Sequence, residues 1–402
     1  MPKHLARPSR HSSPNAEMDV DSKMKILLVS HSPDLVGAER SLLSLAQELV
    51  ERGHQVSVAV PEDGQLSSQL LLAYPGVVRV INIQTHSWMG PRQFGIIGLA
   101  RLGQCAMDLV EYLRLLRRSQ FDLVVVNTGV TPAPLLSAKI AHVPVVTIVR
   151  ESLQTNPSLR SFLPRRLIRA LIARWSTSVV CVSEYIRQQF GHASVVRYPQ
   201  LSTHFLKQLE TAESGNAGSS ELRAVIIGTV NQEKGQLDAV AAVVNARETG
   251  ASVRLDIYGP ASDRQRICLH SEIERLGAQD YVQYHGEIPE TFSVFLESDI
   301  SLVCSKNEAF GKVTVESILV GTPVVAYARG GTVEILAAGG GCLVEPTVAA
   351  LTSAIVDACR DRELIQRWRI ECAHHPMREP ITVSAQTVVD DFEHLYSNRV
   401  LR

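Results

Sequence analysis

The segment that decides the fold is residues 308–325, which read EAFGKVTVESILVGTPVV. It follows residues 300–304, an apolar run that is typical of a short buried strand. Residues 311–320 have the apolar spacing of a helix, and the glycine after them is well placed to end it. Glu308 is therefore expected in the loop after the strand and Glu316 inside the helix. The free amides of the first helical turn then face the same space as Glu308.

Such a site suits a ligand with a hydroxyl-rich end and an anionic centre, as in a nucleotide sugar, because carboxylates accept hydroxyl hydrogen bonds and a helix N-terminus attracts phosphate. The segment also resembles the donor-binding motif of the retaining glycosyltransferases of family 4, which have the GT-B fold. In that family the first glutamate holds the donor sugar and the second holds the ribose, and Glu308 and Glu316 match them. The resemblance adds Phe310, Gly311 and Lys312 to the donor site. The alternative is an ordinary βαβ turn with two solvated glutamates.

The composition is that of an ordinary globular protein. The chain has 402 residues, enough for two domains, with 45% hydrophobic and 20% charged residues. Its net charge of −1 provides no overall field to attract nucleic acid, so we expect no nucleic-acid partner. No run approaches the roughly 18 apolar residues of a membrane span. The 7 cysteines are scattered without a Cys-x-x-Cys pair, which favours core residues in a reducing compartment over disulfides or zinc ligands.

Strands without alternation, separated by helices, predict two α/β domains with parallel sheets that face each other across a cleft. The N-terminal tail is polar and lacks the apolar core of a signal peptide, so we expect a cytoplasmic protein. The resemblance implies that the last helix crosses back to the first domain. The predicted divisions are a disordered tail at 1–23, an acceptor-side Rossmann-like domain at 24–207, a linker at 208–220, a donor-binding Rossmann-like domain at 221–383, and a C-terminal helix at 384–402.

The loop after the first strand of the second domain carries a candidate phosphate site. Gly228 permits a tight exit, Gly235 permits close backbone approach, and Lys234 can place a compact positive charge against a diphosphate. The loop resembles the family's Gly-Arg-x-x-x-x-Lys-Gly diphosphate loop, but Thr229 stands where many members have arginine. Lys312 is a candidate substitute for that arginine. The alternative is that Lys234 is a surface lysine near a turn.

Gly330 and Gly331 form a further candidate segment. Two glycines after a strand suit a backbone that lies close to a ligand, and Thr332 is expected to cap the helix that follows. The segment resembles the family's Gly-Gly-x-x-Glu motif, which supports the donor site.

Three candidate residues lie on the acceptor side. The first, Glu39, lies in a turn that resembles the family's Gly-Gly-Ala-Glu-Arg segment, which in related enzymes lies beside the donor diphosphate and the acceptor. Gly37 of the same turn is a donor-binding candidate, because its amide can approach phosphate at a helix start. The alternative is a plain strand-to-helix connection with a glutamate near the helix N-terminus. His31 could contact substrate, although a lone loop histidine is more often a bystander. Arg150 could hold a phosphate or an acidic acceptor through its fork of donors, or could instead pair with Glu151.

Residues 160–175 combine arginines with leucines and isoleucines in a basic amphipathic pattern. Such a helix could touch an anionic membrane, which would suit a lipid-linked acceptor, or could be a surface helix packed on the sheet. The motif Asp19-Val20-Asp21 is rejected as a metal site because it lies in the predicted tail, and no other cluster indicates a metal. We expect no cofactor and no metal.

The resemblance implies a retaining glycosyltransferase that moves a sugar from a nucleotide-sugar donor to a glycan or lipid-linked acceptor, in cell-surface polysaccharide or glycoconjugate synthesis. Glu308 and Lys234 are the expected catalytic residues, because a cation stabilises the negative charge that grows on the leaving diphosphate. Two alternatives remain: a nucleotide-sugar epimerase on the same fold, and a non-catalytic subunit that binds a nucleotide sugar or a partner. The loss of arginine at position 229 motivates the second alternative.

Overall fold

The computed structural model describes residues 23–400 except 36, 92–94, 192–193 and 212–220. Strands and helices alternate along this part of the chain. The strands are β1 Lys25–Val29, β2 Gln55–Val60, β3 Arg79–Asn82, β4 Leu123–Val126, β5 Val145–Val149, β6 Ser178–Cys181, β7 Ser194–Val196, β8 Leu222–Ile227, β9 Val253–Tyr258, β10 Val282–Gly286, β11 Ile300–Val303, β12 Val324–Tyr327 and β13 Gly341–Val344. The helices are α1 Gly37–Glu51, α2 Gln65–Ala73, α3 Gly95–Ser119, α4 Pro132–Ile140, α5 Arg165–Trp175, α6 Glu184–Phe190, α7 Thr203–Thr211, α8 Gln236–Glu248, α9 Asp263–Arg275, α10 Phe292–Leu296, α11 Lys312–Val320, α12 Thr332–Leu336, α13 Val348–Arg360, α14 Arg362–Ala373, α15 Arg378–Thr382 and α16 Ser384–Val400.

Two parallel sheets organise the chain. The first has seven strands in the order β3-β2-β1-β4-β5-β6-β7, and the second has six in the order β10-β9-β8-β11-β12-β13. Ile26 of β1 pairs with Val56 on one side and Leu123 on the other. Most strands at the centre of the sheets are buried along nearly their whole length, because helices cover both faces. The prediction of two Rossmann-like parallel-sheet domains is confirmed.

Each sheet has a point where the strand order reverses. Next to β1 the chain places β2 on one side and β4 on the other, and next to β8 it places β9 and β11. The connections from the carboxyl ends of these strands run to opposite faces and leave a crevice between them, the usual ligand site of open α/β sheets. The loops after β1, β4, β8 and β11 therefore contribute to the site described below, together with the loops after β5 and β12.

Two strands of the structure were not anticipated from the sequence. β7 has only three residues, Ser194–Val196, and β13 begins at the last of several consecutive glycines. A Cβ on Gly341 would lie 1.9 Å from the carbonyl oxygen of Val324, so only glycine fits where β13 meets β12. Short strands and strands that begin with glycine give little periodic signal, which explains both omissions.

The C-terminal helix α16 packs against α1 of the first domain. Arg52, just after α1, donates to Asp390 at 2.6 Å and to Glu393 at 3.0 Å, and Arg197 pairs with Asp391 at 2.7 Å.

The linker was predicted as residues 208–220, but its first four residues belong to a helix, because α7 extends to Thr211. Residues 212–220 of the linker, and residues 1–22 of the predicted tail, lie outside the described part.

The two domains also meet beside the cleft. The Glu334 carboxylate accepts hydrogen bonds from the backbone N–H groups of Glu184 at 3.1 Å and Tyr185 at 3.0 Å. Glu334 thus satisfies free amides in the first turn of α6 in the other domain. Ser183, which caps the same helix, donates from its hydroxyl to the carbonyl of Ala309. Glu334 of the second domain and Ser183 of the first therefore both form hydrogen bonds across the domain boundary.

The cysteines and helices of the described part agree with a globular chain. All seven cysteines are free, and four are buried: Cys105, Cys181, Cys304 and Cys372. Within residues 23–400, apart from the gaps given above, none of the helices combines the length and apolar character needed to span a bilayer.

Candidate functional site

The loops after β8 and β11 bring together two charged side chains that are far apart in sequence. The ammonium of Lys234 donates to the Glu308 carboxylate at 2.7 Å. The two side chains are 33% and 19% exposed, so the pair is open to the cleft but partly shielded from water. This places the two predicted catalytic residues at the switch point of the second sheet.

Close backbone packing holds the Lys234 loop in place. Gly235 has a φ of +73°, and a Cβ there would lie 2.5 Å from the carbonyl oxygen of Cys304 at the end of β11. The buried Gln236 amide donates to the carbonyls of Gly228 and Thr229, both at 3.2 Å. The loop therefore lies directly against the strand that leads to Glu308, as the sequence predicted for Gly235.

Gly330 and Gly331 support the Glu308 loop from behind. A Cβ on Gly330, whose φ is +60°, would lie 1.9 Å from the Glu308 carbonyl oxygen, and one on Gly331 would lie 2.4 Å from that of Phe310. The Gly331 N–H donates to the Glu308 carbonyl at 2.9 Å. The predicted cap at Thr332 is wrong: α12 begins at Thr332, its N-cap is Gly331, and the Thr332 hydroxyl has no partner among the described residues.

Helix α11 begins beside this loop because Gly311 adopts a left-handed conformation, with φ +109°. One turn along, the Glu316 carboxylate accepts a hydrogen bond from the Thr291 hydroxyl at 3.1 Å. Burial raises the pKa of Glu316, while Lys312 and the Thr291 hydrogen bond oppose that rise. The Phe310 ring stacks on Tyr198 of the first domain, with ring centres 5.4 Å apart.

Lys312 reaches across the domain boundary. Its ammonium donates to the Ser41 hydroxyl of α1 at 3.3 Å. Burial lowers the pKa of Lys312 to about 8; Glu316 counteracts this, and Arg150 and Arg40 lower the pKa further. The ammonium thus lies among groups of the first domain. Thr229 is exposed in the loop after β8. The role of Lys312 as a substitute for arginine at position 229 stays a prediction.

The first turn of α1, just after the β1 loop, holds a fully buried carboxylate, Glu39. The Ser30 hydroxyl donates to its Oε1 at 3.0 Å, and Nδ1 of His31 lies 3.6 Å from the same oxygen. Its Oε2 has no hydrogen-bond partner among the described residues. Burial raises the pKa of Glu39, and the His31 ring is the main group that opposes the rise. Helix α1 begins at Gly37, so its first amides lie next to this carboxylate.

Arg150 follows β5 on the same side of the cleft. Its Nε donates to Asn127 Oδ1 at 2.7 Å, and Asn127 Nδ2 donates to the Ala38 carbonyl at 3.1 Å. The alternative that Arg150 forms an ion pair with Glu151 is wrong, because Glu151 accepts instead from the Thr128 hydroxyl at 2.8 Å. Burial lowers the pKa of Arg150 to about 10.

Several residues that shape the site were not singled out from the sequence. They supply hydrogen bonds to the predicted residues and are Ser41, Asn127, Gln236 and Thr291. Asn127 was detectable, because a polar residue that ends an otherwise apolar strand at a sheet edge indicates a ligand site. The other three are ordinary polar residues, and only folding brings them to the cleft.

The basic helix is shorter than predicted, since α5 begins at Arg165. Ile168 and Ile172 are fully buried against the domain, and Arg169 donates to the Gln189 carbonyl at 2.6 Å. Exposed on this surface are Phe162 and Leu167, at 50% and 42%. Part of the apolar face therefore packs inward and part faces solvent.

No group of three or more His, Cys, Asp or Glu side chains suited to a metal ion occurs in the part of the chain that the structure describes.

Two family models match the chain. Residues 36–197 match Glycosyltransferase Family 4, and residues 208–373 match Glycosyl transferases group 1. Anabaena HepE in complex with UDP and glucose has a similar structure, with a TM-score of 0.71 at 20% identity, over 92% of this chain and 99% of that one. Fold and site together define a GT-B protein. The chain belongs to the GT-B glycosyltransferases of the family 4 type.

Curated relatives match a shorter segment. D-inositol 3-phosphate glycosyltransferase of Arthrobacter sp. (strain FB24) is 29% identical over 148 residues, 36% of this chain and 35% of the relative. 2-Deoxystreptamine N-acetyl-D-glucosaminyltransferase of Streptomyces fradiae is 31% identical over 142 residues, 34% of each chain. The chain thus spans about a third of the length of each of these relatives.

Proposed function

We propose that this protein is a retaining glycosyltransferase that uses a nucleotide-sugar donor. The observation that carries the proposal is the Lys234–Glu308 pair, 2.7 Å apart at the sheet switch point and backed by the close approach of Gly330. A nucleotide sugar needs a cation for its diphosphate beside an acceptor of hydroxyl hydrogen bonds, and this pair supplies both. The structure of HepE with UDP and glucose supports a nucleotide-sugar ligand for the same fold.

We assign the roles of the site residues from their positions around the cleft. Lys234 and the first amides of α11 would stabilise the diphosphate as negative charge grows on it in the transition state. Glu308 would orient the sugar, and Glu316 would accept hydrogen bonds from the ribose hydroxyls. We propose front-face attack, in which the leaving phosphate takes the acceptor's proton, so that no separate base is required.

Without donor, Glu308 acts as the counter-ion of Lys234. When the diphosphate binds, it can share the ammonium, which frees the carboxylate for the sugar hydroxyls. The charge pair thus holds both side chains near their working positions before the donor arrives, and this lowers the entropy lost on binding.

The acceptor is proposed to be a glycan or a lipid-linked saccharide, in cell-surface polysaccharide or glycoconjugate synthesis on the cytoplasmic side. Exposed Phe162 and Leu167 beside the basic residues of α5 favour peripheral contact with an anionic membrane. Sedimentation with vesicles that contain about 30% anionic lipid, compared with neutral vesicles, tests this contact. Equal sedimentation with both would contradict it.

A thermal-shift screen with UDP, GDP, ADP and their sugars tests the donor, because a ligand that binds the native state raises the melting temperature. We expect one nucleotide series to raise it in the wild type. Glu308→Gln keeps the shape of the side chain, removes its charge and should abolish sugar transfer, and Glu308→Ala should do the same. Glu111→Gln, an exposed change on α3, is the matched control. Unchanged turnover of Glu308→Gln would refute the site.

The two rivals are tested by the same preparations. An epimerase would alter the donor sugar without any acceptor, which is visible by NMR after incubation with donor alone. A non-catalytic subunit would show no transfer and no hydrolysis with any donor that binds. Transfer to an added acceptor with an unaltered sugar would exclude both rivals.

A further inference from the structure

The cleft contains three cationic side chains that come from three separate elements. Arg40 lies on α1, Arg150 follows β5, and Lys312 begins α11. Lys312 donates to Ser41, the neighbour of Arg40, at 3.3 Å across the domain boundary. Both arginines act on Lys312 as like charges. The three cations, here named the cleft cluster, therefore occupy one region although they belong to two domains.

Among the described residues, no carboxylate forms a close ion pair with the cleft cluster, although Glu316 attracts Lys312, and Glu39 and Glu151 attract Arg150, at longer range. Among the residues that the structure describes, no carboxylate oxygen lies within 4.0 Å of a side-chain nitrogen of Arg40, Arg150 or Lys312. Arg150 uses only its Nε, on Asn127, and Arg40 reaches a main-chain carbonyl. The forked ends of the Arg150 guanidinium are thus left for another group.

This arrangement is unfavourable in the protein alone. Lys312 and Arg150 are partly removed from water, where like charges repel more strongly than on the surface and burial disfavours each charged form, whereas Arg40 is exposed. Burial lowers the pKa of Lys312 to about 8, and Arg150 and Arg40 add to that shift; burial lowers the pKa of Arg150 to about 10 despite the attraction of Glu39 and Glu151. An anion that entered the cluster would relieve both effects, and clusters with such pKa changes in a cleft are typical of binding sites.

We propose that Arg40, Arg150 and Lys312 bind an anionic group, a phosphate or a carboxylate, that is carried by the acceptor. This inference rests on the proposed function. Arg40 and Arg150 belong to the first domain, opposite the Lys234–Glu308 pair that serves the donor. A guanidinium binds such an anion through two parallel hydrogen bonds, and Lys312 completes the site from the second domain. Acceptor binding and approach of the two domains are thereby coupled.

The donor diphosphate is the other source of the same chemistry, so the experiment separates the two. Calorimetry would follow glucose 6-phosphate, inorganic phosphate and neutral glucose, each titrated into the ligand-free protein and into protein saturated with the best nucleoside diphosphate. We expect glucose 6-phosphate and phosphate to bind in both states, and glucose to bind about tenfold more weakly or not at all. Arg150→Gln and Lys312→Met should each weaken anion binding about tenfold. Arg117→Gln, an exposed change on α3, should have no effect.

A pH series adds a readout that a purely structural role would not change. The groups that act on Lys312 are Glu316 on its own helix and the two arginines of the first domain. Glu39 and Glu151 act in turn on Arg150, and Glu290 acts on Glu316. Anion binding by the wild type should weaken as pH rises through about 8, because Lys312 loses its charge. Lys312→Arg should remove this dependence.

Three outcomes would overturn the inference. One is glucose 6-phosphate binding no better than glucose, and another is anion binding that Arg150→Gln and Lys312→Met leave unchanged. The third is a loss of nucleoside diphosphate affinity in Arg150→Gln as large as the loss of anion affinity, which would assign the cluster to the donor. If no nucleotide binds, the proposed function fails, and the titration of the ligand-free protein still tests the cluster.

Discussion

Replacement of Lys312 by methionine should stabilise the ligand-free protein at pH 7. Burial lowers the pKa of Lys312 to about 8, whereas a solvated lysine has a pKa of about 10.4. At about 1.36 kcal/mol per pKa unit, the charged form costs the folded state about 3 kcal/mol at pH 7. Methionine has a similar shape and no charge, but it loses the hydrogen bond to Ser41, worth about 1 kcal/mol. The expected net gain in the free energy of unfolding is about 2 kcal/mol.

The sign of the pH dependence tests the cause. Between pH 8 and 10.4 the unfolded wild type binds the proton that folded Lys312 has lost, so wild-type stability rises with pH in that window. The advantage of Lys312→Met should therefore shrink between pH 7 and about 10. Urea unfolding at both pH values measures it, with the exposed change Lys139→Met as control. A variant that is less stable than the wild type at pH 7, or a difference that does not vary with pH, would refute the reasoning.

Three further predictions concern the donor loop, the ribose carboxylate and the C-terminal helix. Gly330→Ala should weaken nucleoside diphosphate binding at least about tenfold and lower the melting temperature, because the added Cβ would lie 1.9 Å from the Glu308 carbonyl oxygen. Thermal shift measures both effects, and normal binding would contradict the role of Gly330 in supporting the Glu308 loop. Because burial raises the pKa of Glu316, the donor affinity of the wild type should fall as pH is lowered through that pKa, whereas Glu316→Gln should bind the donor weakly at every pH. Calorimetry from pH 5 to 8 measures both affinities. The same pH dependence of affinity in both proteins would exclude Glu316 from the donor site. Arg52→Ala removes ion pairs to two carboxylates of α16 and should cost about 1–2 kcal/mol and speed proteolysis of the last helix. Unchanged proteolysis would show that the remaining contacts, including the Arg197–Asp391 pair, are enough to hold α16.

The sequence predicted the architecture well, because strand and helix periods are local. The strand before Glu308 was predicted as residues 300–304, and the structure has Ile300–Val303. The helix after Glu308 was predicted as 311–320 and is Lys312–Val320. In both cases the apolar pattern indicates the extent of the element, and Gly321 ends the helix. The predicted Thr332 cap failed because a threonine at a helix start can occupy the first turn as well as the cap.

The individual residues of the candidate site were predictable from the sequence, but the contacts between them were not. Lys234 and Glu308 were each recognised from the motif that surrounds them. Their contact depends on the close approach of Gly235 to the end of β11, which no local pattern encodes. The sequence left two alternatives for Arg150, an anionic ligand or a pair with its neighbour Glu151, and the structure shows no close pair with Glu151. At the end of the strand the two side chains instead bond to groups on the adjacent strand's loop, Asn127 and Thr128.

The sequence by itself determined the two parallel-sheet domains and the helix that carries Glu316, since burial on both faces of a sheet and helical spacing are properties of short segments. Only the tertiary structure decided which residues of the two domains contact each other. It placed Lys312 against Ser41 of the other domain and set Glu334 on the amides of α6. Such contacts join residues 150 or more positions apart, and they form only after two separately specified domains have packed. The cationic cleft is therefore a property of the folded pair of domains, not of any one motif.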